Sequence, residues 1–299
     1  MKYLITGANG LLGQKLVALL RSKPEIECIA TGRGVNRNPP GEDYVYHTMD
    51  ITVPDNISSA FDLTQPDVVI HTAAMTQVDQ CEHDREDCWK QNVDAVGHIA
   101  EACNQHGSFL IHLSTDFIFD GAAGPYKEED APNPQSYYAE SKLASEDLIK
   151  VRSSQWAIVR TILVYGITPS MSRPNIILWV KDSLEKGKPI QVVNDQWRMP
   201  TLAEDLAMGC FLIGQKRAEG IFHISGKDMV TPYDIAIATA DFFELDKSLI
   251  TEVDASVFTQ PAKRPARTGF VLDKARAVLG YEPRSLTEGL AILKEQLPA

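Results

Sequence analysis

The sequence predicts an α/β protein with a doubly wound parallel sheet of the Rossmann type and a smaller, discontinuous C-terminal lobe. Short apolar runs that can form strands alternate with helical segments from Lys2 to Tyr165. The first of these runs ends in a turn with three glycines that opens a helix. Beyond Gly166 the alternation becomes irregular, so the second lobe is expected there.

The opening strand and its turn indicate a nucleotide site. Lys2 to Thr6 is a short apolar run, followed by Gly7-Ala8-Asn9-Gly10-Leu11-Leu12-Gly13 and a helical segment, Gln14 to Arg21. Glycines let the backbone approach a pyrophosphate, and the helix N-terminus offers it free N–H groups and partial positive charge. The spacing Gly-x-x-Gly-x-x-Gly departs from the usual Gly-x-Gly-x-x-Gly. We interpret the turn as nucleotide-binding, the alternative being a structural turn.

The second strand predicts the choice of cofactor. It starts at Glu27 and runs into Arg33, with Arg37 close by and no acidic residue at its tip. An acid at this place binds the ribose 2′-hydroxyl of NAD, whereas an arginine accommodates a 2′-phosphate. The pattern therefore favours NADPH, with NADH possible. Asp50 and Ile51 close the third strand and can flank the adenine, although Asp50 can equally cap its own loop.

The fourth and fifth strands end in small or hydroxylated residues. The run over 67–74 ends in alanines, and His71 inside it reads as a core histidine. The run over 109–116 ends in Ser114 and Thr115. Open α/β sheets bind ligands at the carboxyl ends of their strands, so these residues are expected beside one ligand.

Tyr138 and Lys142 form a second indication of chemistry. Their four-residue spacing on a predicted helix places the phenol and the ammonium on one face. An ammonium that close favours the phenolate, so we expect the pKa of Tyr138 to lie below its usual value of about 10. Such a phenol is an acid suited to neutral pH. The spacing alone also fits a solvated helix face.

The remaining segments define the predicted domains. We expect residues 1–165 to form an NADP-binding Rossmann domain to which 200–224 return, and 166–199 with 225–299 to form the substrate-binding lobe. Predicted elements beyond the strand over 156–165 are helices over 176–186, 202–213, 231–243 and 286–296 and strands over 190–193 and 221–224. The second lobe contains a basic group, Arg173, Arg198, Lys263, Arg264 and Arg267. Arginines bind phosphates bidentately, which favours a nucleotide-sugar diphosphate as substrate over a solvated charge run.

Composition excludes several other classes. A net charge of -11 over 299 residues, without a basic stripe, argues against nucleic acid as a partner. No apolar run approaches the roughly 20 residues of a membrane span, and Met1 leads directly into a strand, so we expect a cytoplasmic protein. The five cysteines are scattered, which argues against a disulfide framework or a zinc site.

Taken together, these motifs resemble those of the extended short-chain dehydrogenase/reductases. Within that family the likeness is closest to the dTDP-4-dehydrorhamnose reductases. It rests on Ser114 to Gly121, Tyr138 to Leu143, Asn194-Asp195-Gln196 with Pro200-Thr201, and Arg264-Pro265. The resemblance implies NADPH-dependent reduction of a 4-keto group on a nucleotide-linked sugar, in particular dTDP-4-dehydrorhamnose to dTDP-L-rhamnose in dTDP-rhamnose biosynthesis.

The resemblance also implies roles for individual residues. Thr115 would bind the substrate carbonyl, Tyr138 would donate the proton, and Lys142 would hold the nicotinamide ribose and lower the pKa of Tyr138. The cofactor-binding residues would be Gly7, Asn9, Gly10, Leu11, Leu12, Gly13, Arg33, Asp50, Ile51, Ala73, Ala74, Met75, Tyr138 and Lys142. The substrate-binding residues would be Thr76, Val78, Asp116, Phe117, Asn175, Trp197, Arg198 and Arg267.

One departure keeps two alternatives open. Arg198 stands where these reductases usually carry a glycine, and Gln196 to Thr201 is closer to the β subunit of methionine adenosyltransferase, a regulatory NADP-binding relative. A nucleotide-sugar epimerase is the other alternative. A dehydratase is disfavoured because only Asp116, without a following glutamate, succeeds Thr115. The rhamnose-type relatives are often dimers and have been associated with magnesium at an interface, for which no ligands can be assigned in this sequence.

Overall fold

The protein is described by a computed structural model that covers residues 1–171 and 174–297. The strands are β1 (Lys2–Thr6), β2 (Glu27–Gly32), β3 (Val45–Thr48), β4 (Val68–His71), β5 (Phe109–Thr115), β6 (Trp156–Thr161), β7 (Val164–Tyr165), β8 (Ile190–Val193), β9 (Thr201–Leu202), β10 (Gly220–His223) and β11 (Ile250–Val253). The helices are α1 (Leu11–Arg21), α2 (Pro54–Thr64), α3 (Val78–His83), α4 (Arg85–Trp89), α5 (Ala95–His106), α6 (Tyr137–Arg152), α7 (Ile176–Glu185), α8 (Ala203–Lys216), α9 (Pro232–Phe242), α10 (Asp273–Leu279) and α11 (Leu286–Gln296).

A seven-stranded parallel sheet forms the centre of the described chain. Its strand order is β10-β6-β5-β4-β1-β2-β3, which confirms the predicted doubly wound sheet. The chain runs outward from β1 to β3 and then continues on the other side of β1 with β4. This reversal covers both faces of the sheet with helices and opens a crevice at the carboxyl ends of β1 and β4.

Both faces of the sheet are buried, which explains the continuous apolar strands. In β1, Ile5 faces a core cluster with α1, α8 and α10, whereas Leu4 faces a cluster with α2, α5 and α6. Parallel strands covered on both sides lack the alternation of polar and apolar residues that marks a half-exposed strand. The strand ends are thereby anchored in one rigid layer.

The strand predicted over 156–165 is divided in the structure. It ends as β6 at Thr161, because Leu163 adopts a φ of 39°, in the left-handed region, and turns the chain out of the sheet. β7 then pairs with β9 in a separate ladder. The segment over 220–223 joins the main sheet through β6. The division into an NADP-binding Rossmann domain and a substrate-binding lobe remains a prediction.

The second half of the chain contains elements that the sequence analysis did not predict. β11 pairs with β8 in a small parallel sheet, which packs against α7 and α9. α10 and, in the first half, α2 were also missed. α2 has few apolar positions, of which Ile57 and Phe61 are buried against the main sheet. Such a sparse pattern carries little helical periodicity.

A π-helical turn, Lys90–Asp94, lies between α4 and α5. Buried Asn92 lies within this turn, and its side chain both donates to Met75 O at 3.0 Å and accepts from Met75 N at 2.9 Å. π-Helical turns often occur at functional sites. This one fixes the backbone that follows β4, at the carboxyl edge of the sheet.

None of the helices in residues 1–171 and 174–297 combines the length and the apolar character that crossing a membrane requires.

A buried ion pair connects the elements beneath the carboxyl edge. Arg160 of β6 is 2% exposed and donates to both carboxylate oxygens of Glu146 on α6, at 3.0 and 2.8 Å. Ser114 of β5 donates to the same carboxylate at 2.6 Å. The pair therefore holds α6 against two neighbouring strands.

We expect Arg160→Met to lower the free energy of unfolding by about 3 to 5 kcal/mol, because it leaves the Glu146 carboxylate buried without its counter-ion. Urea titration measures this change, and an unchanged denaturant slope verifies the comparison. The control is Lys150→Met, which removes a half-exposed ammonium 3.8 Å from Glu146 and is expected to cost less than about 1 kcal/mol. Equal, small losses in both variants would contradict the role of the pair.

Candidate active site

A cleft of about 930 Å³ opens at the carboxyl edge of the main sheet. Most of the residues predicted from the sequence line it. They are Gly7, Asn9, Gly10, Leu11, Leu12, Gly13, Arg33, Ile51, Ala73, Ala74, Thr76, Val78, Thr115, Asp116, Phe117, Tyr138, Lys142, Asn175 and Arg198. The structure thus brings together side chains from both halves of the chain.

Four predicted residues are not among those that line this cleft: Asp50, Met75, Trp197 and Arg267. Asp50 instead caps its own loop, since its carboxylate accepts from Thr52 N at 2.9 Å and Thr52 Oγ1 at 2.8 Å. Met75 is buried behind the wall. Trp197 is 39% exposed and has the guanidinium of Arg267 5.9 Å from its ring centre. Arg173 lies outside the described residues.

The glycine turn has the features that a diphosphate requires. Gly7 has a φ of 69°, and a Cβ there would lie 2.8 Å from Ala73 N. Gly10 caps α1 without a side-chain hydrogen bond to the first turn, so no side chain at the cap competes for the N–H groups there. These donors and the helix dipole face the cleft and fit the pyrophosphate of a dinucleotide.

Asn9 has a positioning role in this turn. Its Nδ2 donates to Arg33 O at 3.1 Å, Val35 O at 3.0 Å and Tyr46 Oη at 3.0 Å. Its Oδ1 accepts from Arg37 N at 2.9 Å. The side chain therefore fastens the loop after β2 and keeps both arginines at the cleft, where Arg37 joins Arg33 as a lining residue that was not among the predicted sites.

Thr115, Tyr138 and Lys142 come together on one wall of the cleft. α6 begins with Ser136 Oγ accepting from Ala139 N, which places Tyr138 in the first turn and Lys142 one turn later. The side chains of Tyr138 and Thr115 both line the cleft, and the interaction with Thr115 acts to lower the pKa of Tyr138. Thr115 Oγ1 also donates to Asp116 Oδ1 at 3.2 Å and accepts from Phe117 N at 3.2 Å.

The electrostatics of this wall differ from the expectation. Burial raises the pKa of Tyr138 above its ordinary value, and this effect outweighs the opposing influence of Thr115. The lowered pKa predicted for Tyr138 is therefore wrong in this structure. Burial also lowers the pKa of Lys142 to about 8, against the opposing influence of the Glu146 carboxylate. Because both groups are buried in a low-dielectric wall, desolvation is the largest influence on each pKa.

A buried carboxylate and a buried guanidinium complete the wall. Asp116 accepts a hydrogen bond from Thr268 Oγ1, and burial raises its pKa although Arg198 opposes this. Arg198 donates to Pro265 O at 2.6 Å and Trp197 O at 2.8 Å. Arg198, which stands where the reductases usually carry a glycine, thus connects the loop that contains Trp197 with the loop that contains Pro265.

Arg264 is a lining residue that was absent from the predicted substrate site, although it belongs to the basic group noted in the sequence. It pairs bidentately with Asp79 of α3, at 2.7 and 3.1 Å. Asp79 also accepts from Ala262 N at 3.2 Å. Because the partners are 185 positions apart, no local pattern indicates this link across the cleft.

No group of three or more histidine, cysteine, aspartate or glutamate side chains suited to a metal ion occurs within residues 1–171 and 174–297.

Comparison with known families identifies the chain. The family described as RmlD substrate binding domain matches residues 1–297. The chain belongs to this family. This membership confirms the resemblance seen in the sequence and the predicted enzyme class, an NAD(P)H-dependent oxidoreductase of the short-chain dehydrogenase/reductase type.

The curated relatives of this RmlD-family chain have several names. A probable low-salt glycan biosynthesis reductase, Agl14, of Haloferax volcanii is 31% identical, with 97% of this chain and 96% of the relative covered. A dTDP-4-dehydrorhamnose reductase of Aggregatibacter actinomycetemcomitans is 32% identical, with 94% of each covered. Methionine adenosyltransferase 2 subunit beta of Bos taurus is 32% identical, covering 85% and 76%.

Solved structures agree with the RmlD family assignment. A dTDP-4-dehydrorhamnose reductase of Clostridium acetobutylicum has a TM-score of 0.87 and 30% identity over 99% of both chains. That of Bacillus anthracis, in complex with NADP, has a TM-score of 0.84 and 25% identity over 99% of both chains.

We expect Arg33→Ala to raise the KM for NADPH by about tenfold or more while changing that for NADH little, because a hydrogen bond to a charged group contributes about 1.5 to 3 kcal/mol. Initial rates with each cofactor measure the two values. Arg85→Ala, which removes an exposed arginine paired with Glu82, is the control. Equal effects on both cofactors would show that Arg33 does not bind a 2′-phosphate.

Proposed function

We propose that the protein reduces the 4-keto group of a nucleotide-linked sugar with NADPH, and that dTDP-4-dehydrorhamnose, giving dTDP-L-rhamnose, is the first substrate to test. The observation that supports this most is the placement of two hydroxyl groups, those of Thr115 and Tyr138, and of buried Lys142 in the lining of one cleft. Family membership and the NADP complex of a structural neighbour support the same reaction type.

The proposed reaction uses the two hydroxyl groups of the cleft wall as hydrogen donors. NADPH, when bound along the glycine turn, supplies the hydride that reduces the ketone carbon. Negative charge then develops on the ketone oxygen, and Tyr138 donates its phenolic proton to that oxygen. Thr115 donates a hydrogen bond to the same oxygen. Both interactions strengthen as the charge develops, so they stabilise the transition state more than the ground state.

Burial suits Tyr138 and Lys142 to these roles. A raised pKa keeps the Tyr138 phenol protonated at neutral pH, as a proton donor requires. We assign Lys142 to holding the nicotinamide ribose and to stabilising the phenolate that Tyr138 becomes. That assignment requires the ammonium form, which a pKa of about 8 still leaves predominant at pH 7.

The substrate end of the cleft suits a diphosphate-linked sugar. Arg198 and Arg264 bring positive charge to a protein whose net charge is -11. Arg198 is anchored through carbonyls of the second half of the chain, and Arg264 through Asp79 of α3 in the first half. Fixed guanidiniums lose little side-chain freedom on binding a diphosphate. We therefore place the substrate diphosphate between them and the sugar at Tyr138.

The other expectations drawn from the sequence remain predictions. They are a cytoplasmic location, a homodimer, the two-domain division and a role for magnesium. The relatives named methionine adenosyltransferase 2 subunit beta motivate the alternative in the functional test, a regulatory subunit that binds cofactor without oxidising it. An epimerase would convert the sugar without net consumption of cofactor.

A screen of nucleotide-4-ketosugars with NADPH tests the proposal. The fall in absorbance of the reduced nicotinamide gives the rate for each sugar and carrier, and product analysis gives the sugar formed. We expect oxidation of NADPH with at least one dTDP-4-keto-6-deoxysugar. Tight cofactor binding without oxidation by any ketosugar would favour a regulatory subunit, and interconversion of sugars without net oxidation would favour an epimerase.

We expect Tyr138→Phe to lower kcat by about 10²- to 10⁴-fold with little change in the dissociation constant for NADPH, because only the proton donor is removed. Steady-state rates and fluorescence titration of the cofactor measure the two effects. Tyr137→Phe is the matched control, since the neighbouring ring packs against Trp89 instead of facing the cleft. Turnover retained in Tyr138→Phe would refute the assignment.

A further inference from the structure

A buried histidine lies directly behind Lys142. His112 of β5 is 1% exposed, and its Nε2 is 3.1 Å from Lys142 Nζ and 3.0 Å from Ser145 Oγ. Its Nδ1 has no hydrogen-bond partner among the described residues. One ring nitrogen therefore faces two polar groups of α6, one of which is the ammonium of the proposed site.

The hydrogens that Lys142 and Ser145 can donate determine which tautomer of His112 fits this contact. A lysine ammonium has only hydrogens to donate, so its contact requires a lone pair on His112 Nε2 and places the ring hydrogen on Nδ1. Ser145 Oγ donates its own hydrogen to Lys142 O at 2.7 Å. If Lys142 were neutral, Nε2 could carry the hydrogen and donate it to Ser145 Oγ. The tautomer of His112 and the charge of Lys142 are thus linked.

We propose that His112 is a positioning residue for Lys142, whose Nε2 lone pair accepts a hydrogen bond from the ammonium and holds it, charged, at the cleft. The hydrogen-bonded contact itself does not depend on which substrate is reduced. Its consequence for turnover rests on the function proposed above.

The surroundings keep His112 available as an acceptor. Burial lowers its pKa well below the ordinary value, and Lys142 and His71 act in the same direction, so the ring is neutral at pH 7. His71 of β4 stacks on it with centroids 5.5 Å apart. The other groups that affect the charge of Lys142 are Glu146 on its own helix and Cys88 on α4. Both favour the ammonium.

Nuclear magnetic resonance of the full chain, labelled with ¹⁵N in its histidines, tests the contact without any substrate. At pH 7 we expect His112 to carry its hydrogen on Nδ1, with Nε2 unprotonated. In Lys142→Met we expect the hydrogen to move to Nε2, where Ser145 Oγ can accept it. A hydrogen on Nε2 in the unsubstituted protein, or a tautomer that is the same in both proteins, would overturn the proposal.

The pH profile of kcat/KM tests the consequence. His112→Phe removes the acceptor and disfavours the ammonium, so the pH at which activity falls on the alkaline side should drop by about one to two units. His112→Gln, which restores an acceptor oxygen, should recover part of this shift. A uniform loss of rate at every pH, with the alkaline limb unmoved, is the result of a merely structural role and would contradict positioning.

The controls separate this proposal from the function on which it partly rests. His71 lies in the same layer of the sheet, and its ring is hydrogen-bonded to Thr6 Oγ1 at 2.8 Å instead of to Lys142. His71→Phe should therefore leave the alkaline limb of the pH profile in place. Circular dichroism establishes that each variant folds. If no ketosugar is reduced by the unsubstituted protein, the proposed function fails, whereas the tautomer measurement still decides the hydrogen bond.

Discussion

The parallel register of β1, β4 and β5 is the constraint on which the site depends. Thr6 pairs with His71, and His71 with His112, so β1 and β4 end at the same level and β5 continues for three more residues to Thr115. Gly7, Ala73 and Thr115 lie one, two and three residues beyond these paired positions and line the same cleft. A register slip by one residue would reverse the face of every side chain in the strand that moved. The apolar layers on both faces prevent this, and core packing thereby sets the geometry of the cleft.

Burial determines the chemistry of the wall as much as the identity of its residues does. Desolvation is the largest influence on the pKa values of Tyr138, Lys142 and Asp116, and in each case it favours the neutral form. Thr115 opposes it at Tyr138, the Glu146 carboxylate opposes it at Lys142, and Arg198 opposes it at Asp116. A buried wall of this kind keeps its titratable groups protonated or neutral, and each polar contact in it is strong because the local dielectric constant is low.

The short-range patterns of this site could be predicted from the sequence, whereas the contacts between distant residues could not. The glycine turn, the strand-end Thr115 and the Tyr138–Lys142 spacing are short-range patterns, and the structure brings them together as expected. The pKa of Tyr138 was predicted with the wrong sign, because a helical spacing does not report burial. The Arg264–Asp79 link and the exposed position of Trp197 depend on how distant loops meet, which periodicity does not reveal.

The position of β10 at the border of the main sheet has a consequence for shortened forms of the chain. Its residues follow α8, yet they pair with β6 along Ala157 to Arg160. A fragment that stops at Tyr165 would lack this partner and would present the open backbone N–H and C=O groups of an apolar strand. Such an edge recruits strands from other molecules. The main sheet is therefore built from two separated stretches of the chain, and self-association of a fragment is the expected result of dividing them.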